Sequence, residues 1–83
     1  MNRTEIRSAI HAIFIDGFEV EEETLVGGAH LGEDLGLDSL DGIDLVVAIE
    51  KEFGLRIPEE TARSMTQLQD IYDYIDEKID SET

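Results

Sequence analysis

The stretch 36–46, GLDSLDGIDLV, places a single serine, Ser39, among three aspartates at the start of a predicted helix. Asp38 has the residue type and position of an N-cap, because its side chain can accept a hydrogen bond from a free backbone N–H of the first turn. Gly54 supplies the matching C-terminal stop. The sequence therefore predicts a helix from about residue 39 to residue 53, with the serine in its first turn.

Apolar residues of this helix fall into two rows. The first row has the i, i+4, i+8 spacing of a core-facing stripe and, with Val46 beside it, consists of Leu45, Ile49 and Phe53. The second row alternates with acidic residues and consists of Leu40, Ile43 and Val47. A helix of a small domain cannot bury its whole circumference, so we expect the second row to be partly exposed or to touch another short element.

The N-terminal part predicts one helix followed by a long connection. The helix begins at a capping-box-like pair, Asn2 and Glu5, and stops at Gly17. Its inward face consists of Ile6, Ala9, Ile10, Ile13 and Phe14. The acidic, glycine-rich connection runs from residue 18 to residue 37, and we expect it to be tethered to the core by Leu25, Val26, Leu31 and Leu35. Such a long connection in a small domain indicates a functional or topological role.

The C-terminal part predicts two more helices. Pro58 suits the first turn of a short one, PEETARSM, because a first-turn residue needs no backbone N–H. Thr66 and Gln69 predict a capping box for the last helix. The inward face of that helix consists of Leu68, Ile71, Tyr72, Ile75 and Ile79. The tail, DEKIDSET, is expected to fray.

These segments predict a single domain over residues 1–83, ordered from about residue 3 to residue 79. No segment alternates convincingly as a strand. The expected fold is all-α: a small four-helix bundle of three longer helices and one short third helix, with a long first loop.

Composition narrows the location and the partners. Acidic residues outnumber basic ones 21 to 6, a net charge of −15, so nucleic acid and anionic membranes are poor partners and a Lys/Arg patch is a natural one. Cysteine is absent, which excludes disulfides and thiolate sites and suits a reducing compartment. With no signal-peptide pattern and no apolar run of membrane-spanning length, we expect a cytoplasmic protein without stable membrane insertion. We also expect the protein to be a monomer.

A catalytic role for Ser39 has weak support. The spacing Gly36-x-x-Ser39-x-x-Gly42 does not match the Gly-x-Ser-x-Gly nucleophile elbow. A catalytic serine also needs a base within hydrogen-bond reach. The two histidines, His11 and His30, carry no motif, although His30 could in principle fold back toward the serine.

The sequence also lacks the motifs of a calcium site and of a phosphate site. An EF-hand register that puts Gly42 on the invariant glycine places Leu37 at the first ligand position and Ala48 at the last, so the calcium motif fails. The glycines of the long connection carry no Gly-Lys-Ser/Thr phosphate signature. No metal site is therefore predicted. From local pattern alone, Ser39 could simply cap or begin the helix.

The residues around the serine resemble the recognition segment of acyl carrier proteins. Residues 34–60, DLGLDSLDGIDLVVAIEKEFGLRIPEE, contain the family-like D-L-G-x-D-S-L, E-F-G and Ile-Pro motifs, and Gln69-Asp70 follows in the last helix. No gap is needed from Asp34 to Ile75. The long first connection is also similar to that of the family.

This resemblance implies that Ser39, flanked by the motif residues Asp38 and Leu40, is where a phosphopantetheinyl transferase attaches 4'-phosphopantetheine from coenzyme A. The arm ends in a thiol, so a protein without cysteine can carry acyl groups as thioesters. The chain would then be a carrier and not an enzyme. It would deliver acyl intermediates to acyl-transferring and condensing enzymes of fatty acid, lipid or polyketide biosynthesis.

The resemblance also implies two surfaces. A docking face for basic partner patches would consist of Asp41, Ile43, Asp44, Val47 and Glu50. A cavity for the acyl chain would be bordered by Val46, Ile49, Ala62, Met65 and Leu68, each of which could instead be plain core.

Some residues depart from the family pattern. Gly42 stands where a larger residue is usual, and at about 1 kcal/mol in a helix interior it should loosen the first turns. Lys51, Arg56 and Arg63 add positive charge, so a specialised carrier is as consistent with the sequence as a general one. An aminoacyl, D-alanyl or peptidyl carrier and an unmodified acidic interaction module are also compatible with the sequence.

Overall fold

The computed structural model describes the backbone of residues 2–81 and the side chains of residues 2–79. Four α-helices account for most of this part of the chain: α1 Arg3–Phe18, α2 Ser39–Phe53, α3 Glu59–Ser64 and α4 Leu68–Ser81. A single 3₁₀ turn, Glu22–Thr24, lies in the long connection. The all-α fold with a short third helix and a long first loop is confirmed.

The three longer helices enclose one apolar core. The predicted inward faces supply most of it, since the buried residues of α1 and α2 are Ile6, Ile10, Phe14, Leu45 and Ile49, and those of α4 are Leu68, Ile71, Tyr72 and Ile75. The loops add Val20, Leu25, Ala29 and Ile57. Apolar burial of this kind is the main force that holds a cysteine-free domain of this size together.

The start of α1 is as predicted, but its end is not. Asn2 and Glu5 form the capping box, with the Glu5 N–H donating to Asn2 Oδ1 at 2.8 Å. The predicted stop at Gly17 is wrong, because the helix continues to Phe18, whose ring packs against Phe14 at a centroid distance of 6.4 Å. Glu19 takes the left-handed conformation instead, at φ 56°, and its N–H donates to the Phe14 carbonyl.

The predicted Thr66–Gln69 capping box of α4 is also wrong. The Asp70 carboxylate accepts the Thr66 and Gln67 N–H groups at 3.0 and 3.1 Å, and the Gln69 amide donates to Asp73. The next two N–H groups of the helix, at residues 68 and 69, donate to carbonyls of the long connection at residues 29 and 27. Distant loop carbonyls therefore satisfy N–H groups for which the local sequence shows no partner.

The long connection is fastened to the bundle at several points. Leu25 is buried, Leu31 and Leu35 are half-buried, and His30 forms an isolated antiparallel bridge with Gln67. Val26, predicted to be a fourth tether, is 58% exposed. The expectation for Val26 is wrong because the short turn after the 3₁₀ helix directs only one of two adjacent apolar residues inward.

Polar contacts close α1 onto α4. The Arg7 guanidinium donates to both Asp76 carboxylate oxygens, at 3.0 and 3.2 Å, and lies 3.9 Å from the centroid of the Tyr72 ring. A hydrogen bond of 2.6 Å joins the Tyr72 hydroxyl to His11 Nε2. Burial raises the pKa of Tyr72 above its ordinary value of 10.0, and the nearby positive charge of Arg7 partly opposes that rise.

Helix α4 extends to Ser81, so most of the tail that is expected to fray is helical. The last two residues of that tail lie outside the described residues. Among residues 2–81, no helix has the length and apolar character needed to cross a membrane.

Candidate functional site

Ser39 is the first residue of α2 and is an exposed residue. The N-cap is Asp38, as predicted: Asp38 Oδ1 accepts the Asp41 N–H at 2.9 Å, and Asp41 Oδ2 accepts the Asp38 N–H at 3.2 Å. This reciprocal box satisfies N–H groups of the first turn without the serine. The Ser39 hydroxyl has no hydrogen-bond partner among residues 2–79.

The turn before α2 holds the serine at the end of the bundle. Gly36 has a φ of 72°, a conformation that favours glycine, and its N–H donates to the Gly32 carbonyl. Leu37 follows with a hydrogen bond to the Leu31 carbonyl at 3.1 Å. The chain therefore reaches Asp38 from a closed loop, and the helix start is presented to solvent.

Both histidines have structural partners away from Ser39. His30 Nδ1 accepts the N–H groups of Gly32 and Glu33 at 3.1 and 3.0 Å, which closes the turn after the bridge. His11 is bonded to Tyr72 at the contact between α1 and α4. Because neither imidazole is hydrogen-bonded to the serine, the arrangement lacks the general base that a nucleophilic serine needs.

The second apolar row of α2 is exposed, and two of its residues, Ile43 and Val47, also line a cleft together with residues of the short helix α3, so both expectations for the row hold. Leu40, Ile43 and Val47 are 70%, 62% and 42% exposed. Asp44 lies exposed beside them, whereas Asp41 is half-buried in the N-terminal box. Isolated exposed apolar residues are ordinary, but three on one helical face form a continuous apolar strip with an acidic border.

Glu50, the last residue of the predicted docking face, has a structural role in addition. It is half-buried, and its Oε2 accepts the Ile57 N–H at 2.9 Å. Its backbone carbonyl also accepts the N–H groups of Gly54 and Leu55. Glu50 therefore holds the turn between α2 and α3 in place.

An apolar cleft of about 630 Å³ lies between α2, α3 and α4, and Ser39 is one of its lining residues. Four of the five predicted cavity residues line it: Val46, Ile49, Ala62 and Met65. Leu68 does not line the cleft, because it is fully buried in the core below. Leu68 is therefore plain core, the alternative that its place on the predicted inward face of α4 also indicates.

Other cleft residues are not predictable from the sequence pattern. Leu31, Ile57 and Ile71 come from the long connection, the α2–α3 turn and α4, so only the tertiary arrangement brings them to α2. Two charged residues also line the cleft: Arg63 donates to Glu59 at 2.5 Å, and both side chains are largely exposed. Among the described side chains, no group of His, Asp and Glu residues is arranged to hold a metal ion.

Comparison with known proteins identifies the family. A family model described as the phosphopantetheine attachment site matches residues 5–75. The chain is also 42% identical over 79 residues to an acyl carrier protein of Thermosynechococcus vestitus, across 95% of this chain and 98% of that relative. The chain belongs to the acyl carrier protein family. An acyl carrier protein of Guillardia theta is 35% identical over the same shares of the two chains.

Family membership confirms several expectations. Acyl carrier proteins carry acyl intermediates on phosphopantetheine and are not enzymes, so the predicted carrier function and cofactor hold, and the chain is not an enzyme. Members of the family work with transferases and biosynthetic enzymes in general.

The site of this carrier fits phosphopantetheine. Covalent attachment needs an accessible hydroxyl; Ser39 is an exposed residue, and its hydroxyl has no hydrogen bond to residues 2–79. An acyl chain needs an apolar compartment nearby, and the cleft lies within the usual volume range of ligand pockets, roughly 300 to 1,000 Å³.

Proposed function

We propose that Ser39 is the attachment site of 4'-phosphopantetheine and that this carrier delivers acyl groups to enzymes of fatty acid, lipid or polyketide biosynthesis. The observation that carries the proposal is that Ser39 is exposed, does not cap α2 and lines an apolar cleft. The arm, when bound, supplies a terminal thiol that holds an acyl group as a thioester.

The chain's own contribution to attachment is a positioned hydroxyl. Ser39 Oγ would form a new P–O bond to the pantetheine-bearing phosphorus of coenzyme A, while the P–O bond to the nucleotide half breaks. The hydroxyl proton would pass to a base supplied by the phosphopantetheinyl transferase, because both histidines of the carrier are engaged elsewhere. The Asp38–Asp41 box keeps the first turn of α2 formed, so the hydroxyl is presented in one place.

Partner enzymes are proposed to dock on the exposed face of α2. Asp44 and the other acidic residues attract basic patches over roughly a Debye length, about 8 to 10 Å, which raises the rate of encounter. Leu40, Ile43 and Val47 then supply apolar contact at the centre of the docked face. Glu50 borders this face while it also holds the α2–α3 turn.

The cleft is proposed to shelter the acyl chain. Val46, Ile49, Ala62 and Met65 supply apolar walls within reach of the attachment site. Burial of an apolar chain against such walls is favourable by about 0.8 kcal/mol per methylene.

A cytoplasmic location and a monomeric state belong to the same proposal. The support for both is physical: a net charge of −15 makes self-association unfavourable, and the absence of cysteine suits a reducing compartment. Sedimentation of the holo-protein at physiological salt would contradict the monomer if it gave twice the mass of the chain.

Intact mass spectrometry tests the attachment site. The parent, Ser39→Ala and a control, Ser8→Ala on the exposed face of α1, are incubated with coenzyme A and a broad-specificity transferase. The parent and the control should each gain one phosphopantetheine, and Ser39→Ala should gain none. An unchanged parent mass, or modification that survives Ser39→Ala, would refute the proposal.

A further inference from the structure

Gly42 is a residue in the interior of α2 that costs the helix stability without an evident structural need. It lies in the second turn, and its N–H donates to the Asp38 carbonyl at 3.0 Å. Glycine in a helix interior is the least favourable residue after proline. A reason for its presence must therefore come from its surroundings.

The two usual reasons for a glycine do not apply. Among the described residues, the glycines with positive φ are Gly36 and Gly54, so the backbone at Gly42 does not require glycine. A Cβ built on Gly42 meets no heavy atom within 4 Å, so no neighbouring group approaches too closely for a side chain. The space next to Gly42 is open.

That open space is part of the cleft. Gly42 lines the cleft together with Ser39 and Val46, which are three residues before it and four residues after it. Residues with these spacings lie one above another on the same face of a helix. Gly42 therefore occupies the position between the attachment hydroxyl and the apolar wall deeper in the cleft.

We propose that Gly42 is a specificity-determining residue of this carrier: its missing side chain keeps open the route by which an apolar chain on the Ser39 arm enters the cleft. The inference rests on the proposed function, because it presupposes attachment at Ser39 and a sheltered acyl group. A larger residue at this position would narrow the opening where the cleft meets the attachment site. Gly42 would thereby widen the range of acyl groups that the cleft admits.

A graded series at Gly42 with a matched control tests the proposal. Gly17 also lies within a helix, has no positive φ and has no atom within 4 Å of a built Cβ, but it lines no part of the cleft. Gly42→Ala, Gly42→Leu, Gly17→Ala and Gly17→Leu are each loaded from coenzyme A and from octanoyl coenzyme A. The readouts are the melting temperature and the rate at which hydroxylamine cleaves the octanoyl thioester.

The expected results separate helix stability from cleft access. Gly42→Ala should raise the melting temperature of the unmodified protein by about 4 to 8 °C, because alanine is a better helix former and meets open space. The additional rise caused by the octanoyl group in the parent should shrink in Gly42→Ala, shrink further in Gly42→Leu, and persist in both Gly17 variants. Hydroxylamine cleavage should become faster in the same order.

Two outcomes would overturn the inference in distinguishable ways. If the octanoyl-dependent rise is as large in both Gly42 variants as in the parent, the role of Gly42 is wrong while the carrier function stands. If the parent itself shows no octanoyl-dependent rise although its mass confirms loading at Ser39, the sheltering role of the cleft fails and the role of Gly42 fails with it. Gly42→Ala keeps the test valid if Gly42→Leu does not fold.

Discussion

Substitution of Glu50 tests its structural role at the turn between α2 and α3. Its Oε2 accepts the Ile57 N–H at 2.9 Å in a half-buried setting, and Ile57 is one of the walls of the cleft. A hydrogen bond to a charged acceptor contributes about 1.5 to 3 kcal/mol, and partial exposure favours the lower end of that range. We therefore expect Glu50→Ala to lose about 1.5 to 2 kcal/mol of unfolding free energy. In a domain of this size the melting temperature shifts by about 4 to 8 °C per kcal/mol, so that of Glu50→Ala should fall by roughly 6 to 16 °C.

The control is Glu52→Ala, an exposed position on the same helix. Both substitutions replace glutamate by alanine in α2 and remove one negative charge, so helix propensity and net charge change equally. Glu50→Gln keeps an acceptor oxygen and should lose about half as much stability as Glu50→Ala. Urea denaturation followed by circular dichroism gives the free energies of unfolding. Equal stabilities for Glu50→Ala and Glu52→Ala would refute the structural role of Glu50.

Two further predictions concern the pH dependence of stability and the docking face. Burial raises the pKa of Tyr72 above 10.0 in the folded state, so the stability it contributes is present below pH 10.0 and is lost as the pH rises through the folded-state pKa. Between pH 10.0 and the folded-state pKa, the free energy of unfolding of Tyr72→Phe should therefore fall less steeply than that of the parent, and equal slopes in that range would contradict the prediction. Asp44→Lys should slow loading by partner enzymes several-fold at low salt, less so at high salt, with unfolding free energy unchanged within about 0.5 kcal/mol. A control charge reversal in the 3₁₀ turn, Glu23→Lys, should leave the loading rate near that of the parent; equal rates for Asp44→Lys and the parent at low salt would argue against docking at Asp44.

Much of the fold could be predicted because the signals that set it are local. The bounds of α2 follow from Asp38, Asp41 and Gly54, whose hydrogen bonds and backbone conformation involve residues only a few positions away. The inward faces of α1 and α4 follow from apolar spacing along a single helix. The stop predicted at Gly17 failed within its own helix, because the helix continues to Phe18 and Glu19 takes the left-handed conformation. The capping pair predicted at Thr66 failed because carbonyls of the long connection accept N–H groups at the start of α4.

Some features of the candidate site could likewise be predicted from the sequence, and others needed the structure. The position of Ser39, the acidic border of α2 and the family were visible in the residues from 34 to 60. The cleft was only partly visible, because its walls at Leu31, Ile57 and Ile71 come from segments distant in sequence. Gly42 could be noted as a departure from the family pattern, but its place in the cleft wall needed the structure.

The sequence by itself determined the helices, the serine at the start of α2 and the acidic surface, because helix caps, apolar periodicity and net charge depend on residue types at short separations. Only the tertiary structure decided which apolar residues are core and which line the cleft. It also decided that loop carbonyls accept the first N–H groups of α4, and that the Ser39 hydroxyl has no hydrogen-bond partner among residues 2–79. The physical reason is that burial and long-range hydrogen bonds depend on which segments meet in space, and that arrangement minimises the free energy of the whole chain.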